Sequence, residues 1–126
     1  MGGPVITAQF AKNANGEPEL AEGSEGQGQR HYKVVFNVTG APADAYAATF
    51  ELNPASYDPI RTVLPENNTF TLETTTHGNY DLNVKLRTKS SEMLLKDSIV
   101  QALLRGEQDN MTSPAVQSAI SDISNN

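Results

Sequence analysis

Two short stretches hold most of this chain's potential chemistry: Asn53-Pro-Ala-Ser-Tyr-Asp-Pro59 and Thr76-His-Gly-Asn-Tyr80. Each sets an aromatic or imidazole side chain beside Pro or Gly, at the end of a run that reads as a strand. Loops held on a rigid scaffold are where recognition and catalysis concentrate. A nucleophilic mechanism would pair Ser56 with His77 as its base, within about 3 Å directly or through one water. No Gly-x-Ser-x-Gly elbow or oxyanion-hole loop accompanies that pair, so no catalytic residue is assigned and no enzyme is expected. His31 and His77 are the only imidazoles, and neither has a second ligand at metal-binding spacing. There is no Cys, which removes disulfides and thiolate metal sites. No Gly-rich turn leads from a strand into a helix to cradle phosphate, so no cofactor is expected.

What remains is recognition. Tyr57, His77 and Tyr80, with Ser56 and Gly78 between them, would form a small aromatic wall if the two loops meet. Such walls suit flat or cationic groups and aliphatic chains with polar ends. The competing reading has Tyr80 opening a core-facing strand and Tyr57 packing over its Pro-rich turn.

The elements that must position these loops are strands. The chain of 126 residues is long enough for one domain, and its apolar residues gather between Tyr32 and Leu104. Tyr32, Val34, Phe36 and Val38 alternate with polar or small neighbours over residues 31–39. Tyr46, Ala48, Phe50 and Leu52 do the same over 46–52, and Tyr80, Leu82, Val84 and Leu86 over 80–87. A short run at 60–64 and a Thr-rich one at 69–75 add two more. Five strands at turn-punctuated spacing predict a mainly β fold, an antiparallel sandwich.

Leu95, Ile99, Ala102 and Leu103 then recur at three and four with Gly106 behind them, which predicts a helix over 91–105. A last strand across Met93 to Leu95 is the alternative. Ser113-Pro114 ahead of Val116, Ala119, Ile120 and Ile123 predicts a short helix over 114–123, in a tail spanning 107–126. Upstream, residues 13–30 are rich in Gly, Glu and Gln and read as a flexible linker. Pro4 to Phe10 reads as one short strand within an N-terminal segment of residues 1–30. The sandwich itself is then expected over residues 31–106.

Fifteen acidic against nine basic side chains give a net charge of −6 and a pI near 4.7. That balance argues against nucleic acid and against anionic membranes as partners, leaving a protein or peptide. Residues 1–14 do not read as a signal peptide, and no apolar run nears the roughly 20 residues of a spanning helix. A reducing, cytoplasmic setting is the default expectation. Asn37-Val-Thr39, Asn67-Asn-Thr69 and Asn110-Met-Thr112 match the glycosylation pattern by chance in such a setting.

Over residues 31–88 the chain resembles the YEATS domain family. That family opens with His, an aromatic and alternating Val, similar to His31-Tyr-Lys-Val-Val-Phe-Asn-Val38. Its Leu-His-x-Ser-(Phe/Tyr) loop and following Asn-Pro-x-Arg are similar to Leu52-Asn-Pro-Ala-Ser-Tyr-Asp-Pro-Ile-Arg61. Its Pro-Pro-(Phe/Tyr) turn is similar to Glu66-Asn-Asn-Thr-Phe70, and its Gly-(Trp/Tyr)-Gly-Glu-Phe to Thr76-His-Gly-Asn-Tyr-Asp-Leu82. The resemblance implies an immunoglobulin-like sandwich whose end loops hold acylated lysine in an aromatic cage. It implies that Ser56 and Tyr57 match the Ser-aromatic pair, that His77 stands at the cage Trp or Tyr, and that Tyr80 stands at the Phe. Divergent prokaryotic relatives, accessory modules of multidomain signalling proteins, are the members it looks most like.

Overall fold

Alternation of large apolar with polar residues builds two facing sheets. The structure, a computed structural model, describes residues 3–20, 31–52, 60–76 and 78–125. Three strands form the first sheet: β1 (Val5–Phe10), β2 (Tyr32–Thr39) and β5 (Phe70–Thr76), in the order β1-β2-β5. The second holds β3 (Ala45–Glu51), β4 (Ile60–Val63), β6 (Asp81–Thr88) and β7 (Glu92–Ser98), in the order β4-β3-β6-β7. All pairings are antiparallel. On β2, Tyr32, Val34, Phe36 and Val38 are buried and the residues between them are half-buried, as the period of two requires. Phe36, Phe50, Phe70, Leu82 and Leu86 fill the space between the sheets. Each such side chain contributes about 1.5–3 kcal/mol through burial. This is the expected immunoglobulin-like sandwich.

The local differences have identifiable causes. Tyr46, expected on the core face, is 50% exposed. A register shift between Ala45 and Ala47 inserts Tyr46 as an extra residue opposite Thr88 and Arg87, and a bulge breaks alternation at that point.

The helix expected over 91–105 starts only at Ile99. Residues Glu92–Ser98 are instead β7, paired with β6 along their length from Arg87↔Glu92 to Asp81↔Ser98. That ladder satisfies a backbone edge that a helix would leave open. The spacing of Leu95 and Ile99 bridges the strand-to-helix switch and only mimics a helical repeat. Ser98 marks the switch, its Oγ accepting from the Gln101 amide at 3.2 Å as the N-cap of α1 (Ile99–Gly106).

The N-terminal segment and the tail are also more integrated than the sequence implies. β1 belongs to the sandwich, so the fold starts well before residue 31. Of the expected linker 13–30, residues 13–20 fold back on the sheet. Asn13 Oδ1 accepts from the Asn15 and Glu17 amides, Gly16 turns at φ 77°, and Glu19 bonds to Ala11 and Lys33. Residues 21–30 lie outside the described residues. After α1, a 3₁₀ turn (Gln108–Asn110) leads to α2 (Pro114–Ser124), N-capped by Ser113, with Pro114 in its first turn. Residues 107–125 are therefore no loose tail, because α2 buries Val116, Ala119, Ile120 and Ile123.

α1 seals the edge of β1. Gly106 lies so close that a Cβ there would stand 1.9 Å from the Ala8 carbonyl oxygen. Arg105 donates to the Ile6 carbonyl at 2.7 Å and pairs with Asp97 of β7. Glu107, with 0% of its surface exposed, accepts from the Phe10 amide at 2.7 Å, from Lys12 Nζ at 2.8 Å and from Asn110 Nδ2 at 2.8 Å. A buried carboxylate is tolerable when its oxygens are satisfied in this way.

Candidate functional site

The ladder brings the flanks of both loops to one end of the sandwich. Glu51 pairs with Ile60 on one side and with Asn83 on the other, so these two flanking residues lie near the start of β6. Thr76, where the second stretch begins, pairs with Tyr32 at the start of β2. Ser56, Tyr57 and His77 lie outside the described residues. Gly78 and Tyr80 are described, and both are half-buried. The Gly78 carbonyl accepts from Thr76 Oγ1 at 2.8 Å, a local bond that tightens the turn.

Tyr80 packs against the core at the lip of the sandwich. Its carbonyl accepts from the Ile99 amide at 3.0 Å. One residue earlier, Asn79 Oδ1 accepts from the Val100 amide at 3.0 Å. Two of the helix's first amides, which have no partner inside a helix, are thus satisfied by the 78–80 turn. The second loop is fastened from behind by α1. The expectation of a helix over 91–105 misses this, since the fastening depends on the helix starting at Ile99, which Ser98 as N-cap announces.

Beside this end, Tyr32 donates its hydroxyl to Asp122 Oδ2 at 2.7 Å and meets Phe10 edge-on, with ring centroids 5.7 Å apart. A groove of about 260 Å³ lies between the Asn13–Pro18 turn and Ala115, Ser118 and Ala119 of α2. Among the described residues, no three His, Asp or Glu side chains gather in a way that could hold a metal ion. Among them, too, no helix is long and apolar enough to cross a membrane.

No protein-family model matches the sequence, and no curated protein matches it. Solved structures do. The yeast AF-9 homolog protein Yaf9 superposes with a TM-score of 0.53 at 18% identity, covering 76% of this chain and 65% of that one. The Yaf9 YEATS domain bound to H3K27ac superposes with a TM-score of 0.52 at 18% identity, covering 77% and 70%. At that identity the likeness is one of fold. With two antiparallel sheets in this order and two helices after the last strand, this chain is in fold a YEATS-like domain.

Proposed function

We propose that this chain is a non-catalytic recognition module whose end loops, 53–59 and 76–80, form a shallow site for a peptide or a modified side chain. Ser56, Tyr57, His77, Gly78 and Tyr80 are its contacts, and acylated lysine is the ligand class to test first. The observation that carries this reading is the meeting of both loop flanks at one end of the sandwich, through Glu51↔Ile60 and Glu51↔Asn83. The fold supports it, since a structure of this fold has been solved bound to H3K27ac. The partner is then a protein or peptide.

The test is an amide-shift titration of the full chain with an acetyl-lysine peptide and its unmodified counterpart. Shifts at residues 53–59 and 76–80, seen with the acetylated peptide and lost in Tyr57→Ala, are expected. Shifts confined to other residues, or none, would refute the reading.

The alternative is an assembly domain of a multidomain bacterial signalling protein with a degenerate site. An apolar stripe along Leu95, Ile99 and Leu103 and the acidic stretch 13–30 would be its grounds. Ile99 and Leu103 are fully buried within this domain, and Leu95 belongs to β7. That stripe is therefore not free for a partner, and Leu103→Glu would damage the core rather than an interface.

A further inference from the structure

β7 has one strand neighbour, β6, and among the described residues no strand pairs with its other edge. The ladder to β6 is bonded at both ends: the Thr88 amide donates to the Ser91 carbonyl at 2.9 Å, and the Ile99 amide to the Tyr80 carbonyl at 3.0 Å. Antiparallel pairs alternate between bonded and non-bonded, so Met93, Leu95 and Asp97 direct their backbone groups toward β6. The N–H and C=O groups of Glu92, Leu94 and Lys96 therefore point away from it. Among the described residues no hydrogen bond reaches them from that side. Their side chains share the outer face and all three are exposed, Leu94 to 75%.

Pro4, Val5 and Ile6 line a cleft of about 150 Å³ with Leu95, Lys96 and Asp97. Arg105 crosses it from the Ile6 carbonyl to the Asp97 carboxylate, leaving the backbone of β7 untouched. A free edge is commonly guarded by shortness, Pro or a bulge. β7 has seven residues, no Pro and an unbroken register. Its charges are the remaining guard, and they are matched rather than alike: Glu92 and Lys96 stand two positions to either side of Leu94. Residues 81–98 together with Glu51 hold four carboxylates against four cations. Net charge therefore neither draws nor repels a second copy here, and placement decides.

We propose that β7 pairs antiparallel with β7 of a second copy, about a two-fold axis at Leu94, joining the two second sheets into one. In that register Leu94 meets the partner's Leu94, Glu92 the partner's Lys96, and Lys96 the partner's Glu92. All are residues with outward backbone groups, so each pair exchanges two hydrogen bonds. Side chains so paired stand about 5 Å apart, an apolar pair at the centre and opposite charges on both sides. The exposed pairs Arg87–Glu92 and Lys96–Asp81, each at 3.6 Å, continue the alternation of charge into each sheet. Moving the axis by two residues sets Glu92 against the partner's Glu92, or Lys96 against the partner's Lys96. Moving it by one sets Leu94 against a charge. One register is favoured. In it Ser98, where β7 ends and α1 begins, stands about 26 Å along the strands from the partner's Ser98, so the two helices start at opposite ends.

The pairing does not depend on the end loops, and exchanging charges tests it. The full chain is sedimented from about 20 μM to about 1 mM, in about 0.15 M salt so that charges beyond about 8 Å are screened. That damps the repulsion between two copies of net charge −6. A concentration-dependent dimer is expected. As it forms, the amides of Glu92, Leu94 and Lys96 should slow in hydrogen exchange, while those of β4 at the far edge of the sheet should not. Glu92→Lys and Lys96→Glu should each weaken self-association about tenfold or more, because each sets like charges opposite one another twice. Mixed in equal amounts, these two variants should pair with each other. Leu94→Ser should weaken the dimer several-fold, and Tyr57→Ala should leave it unchanged. A chain that stays monomeric to about 1 mM would overturn the proposal. So would a dimer indifferent to either charge reversal, a mixture of the two variants that fails to associate, or exchange protection confined to other strands.

Discussion

The β1 flank and the outer face of β6 and β7 are managed in opposite ways. Along β1, every local resource serves closure. Gly106 lets α1 touch the strand, Arg105 and Gln9 tie backbone to side chain across the gap, and Glu107 satisfies the Phe10 amide from a fully buried position. Along β6 and β7 the outer face keeps Leu94 exposed and Lys85 without an ion pair among the described residues. An open strand edge invites wrong pairing, which is a reason to seal one. The outer face of β6 and β7 is not closed in this way, and β7 is a terminal strand paired with β6 alone among the strands. Stability is concentrated on the first region.

Substitutions should separate the two. Glu107→Ala is expected to be the most damaging, costing about 4 kcal/mol in urea unfolding, because it strands the Lys12 ammonium and the Phe10 amide together. If it costs under about 1 kcal/mol, the seal is not what holds β1. Gly106→Ala follows at about 3 kcal/mol, since its Cβ would collide with the Ala8 carbonyl and push α1 off the strand.

Asn79→Ala lies on the border between the regions. It removes a cap from the Val100 amide and should cost about 1 kcal/mol. It should also broaden the amide resonances of residues 76–80, which the first two variants should not. Smallest is Leu94→Ser, expected within about 0.5 kcal/mol of the parent in the same unfolding assay. A large loss there would mean that Leu94 supports the fold and that the comparison is misdrawn.

How much of this the sequence shows depends on the range of the interaction. The strand of Tyr32, Val34, Phe36 and Val38 is legible because period-two burial is written locally. So is α2, announced by Ser113-Pro114 and its four buried apolar residues. The segment 91–105 misleads because Leu95 and Ile99 fall at helical spacing while pairing with β6 claims residues 92–98. Tyr46 misleads because a bulge is a property of two strands together, invisible in one. Residues 13–20 look too polar to order, yet their backbone is held by Ala11 and Lys33 rather than by buried side chains. For the candidate site, the predicted strands account for the flanks Glu51, Ile60 and Thr76, while residues 53–59 and 77 lie outside the described residues. The strands do not account for the bracing of Asn79 and Tyr80 by α1, because it joins residues about twenty positions apart through a helix start that composition alone misplaces.

The bond between the Phe10 amide and Glu107 spans 97 positions of sequence. During synthesis, β1 leaves the ribosome early but cannot be sealed until Glu107 has followed. Thermodynamically this costs little, since loop closure grows by only about 0.6 kcal/mol per doubling of length. Kinetically it matters more, as contacts this distant in sequence slow folding. Until Glu107 has been made, the edge of β1 lacks the carboxylate that closes it.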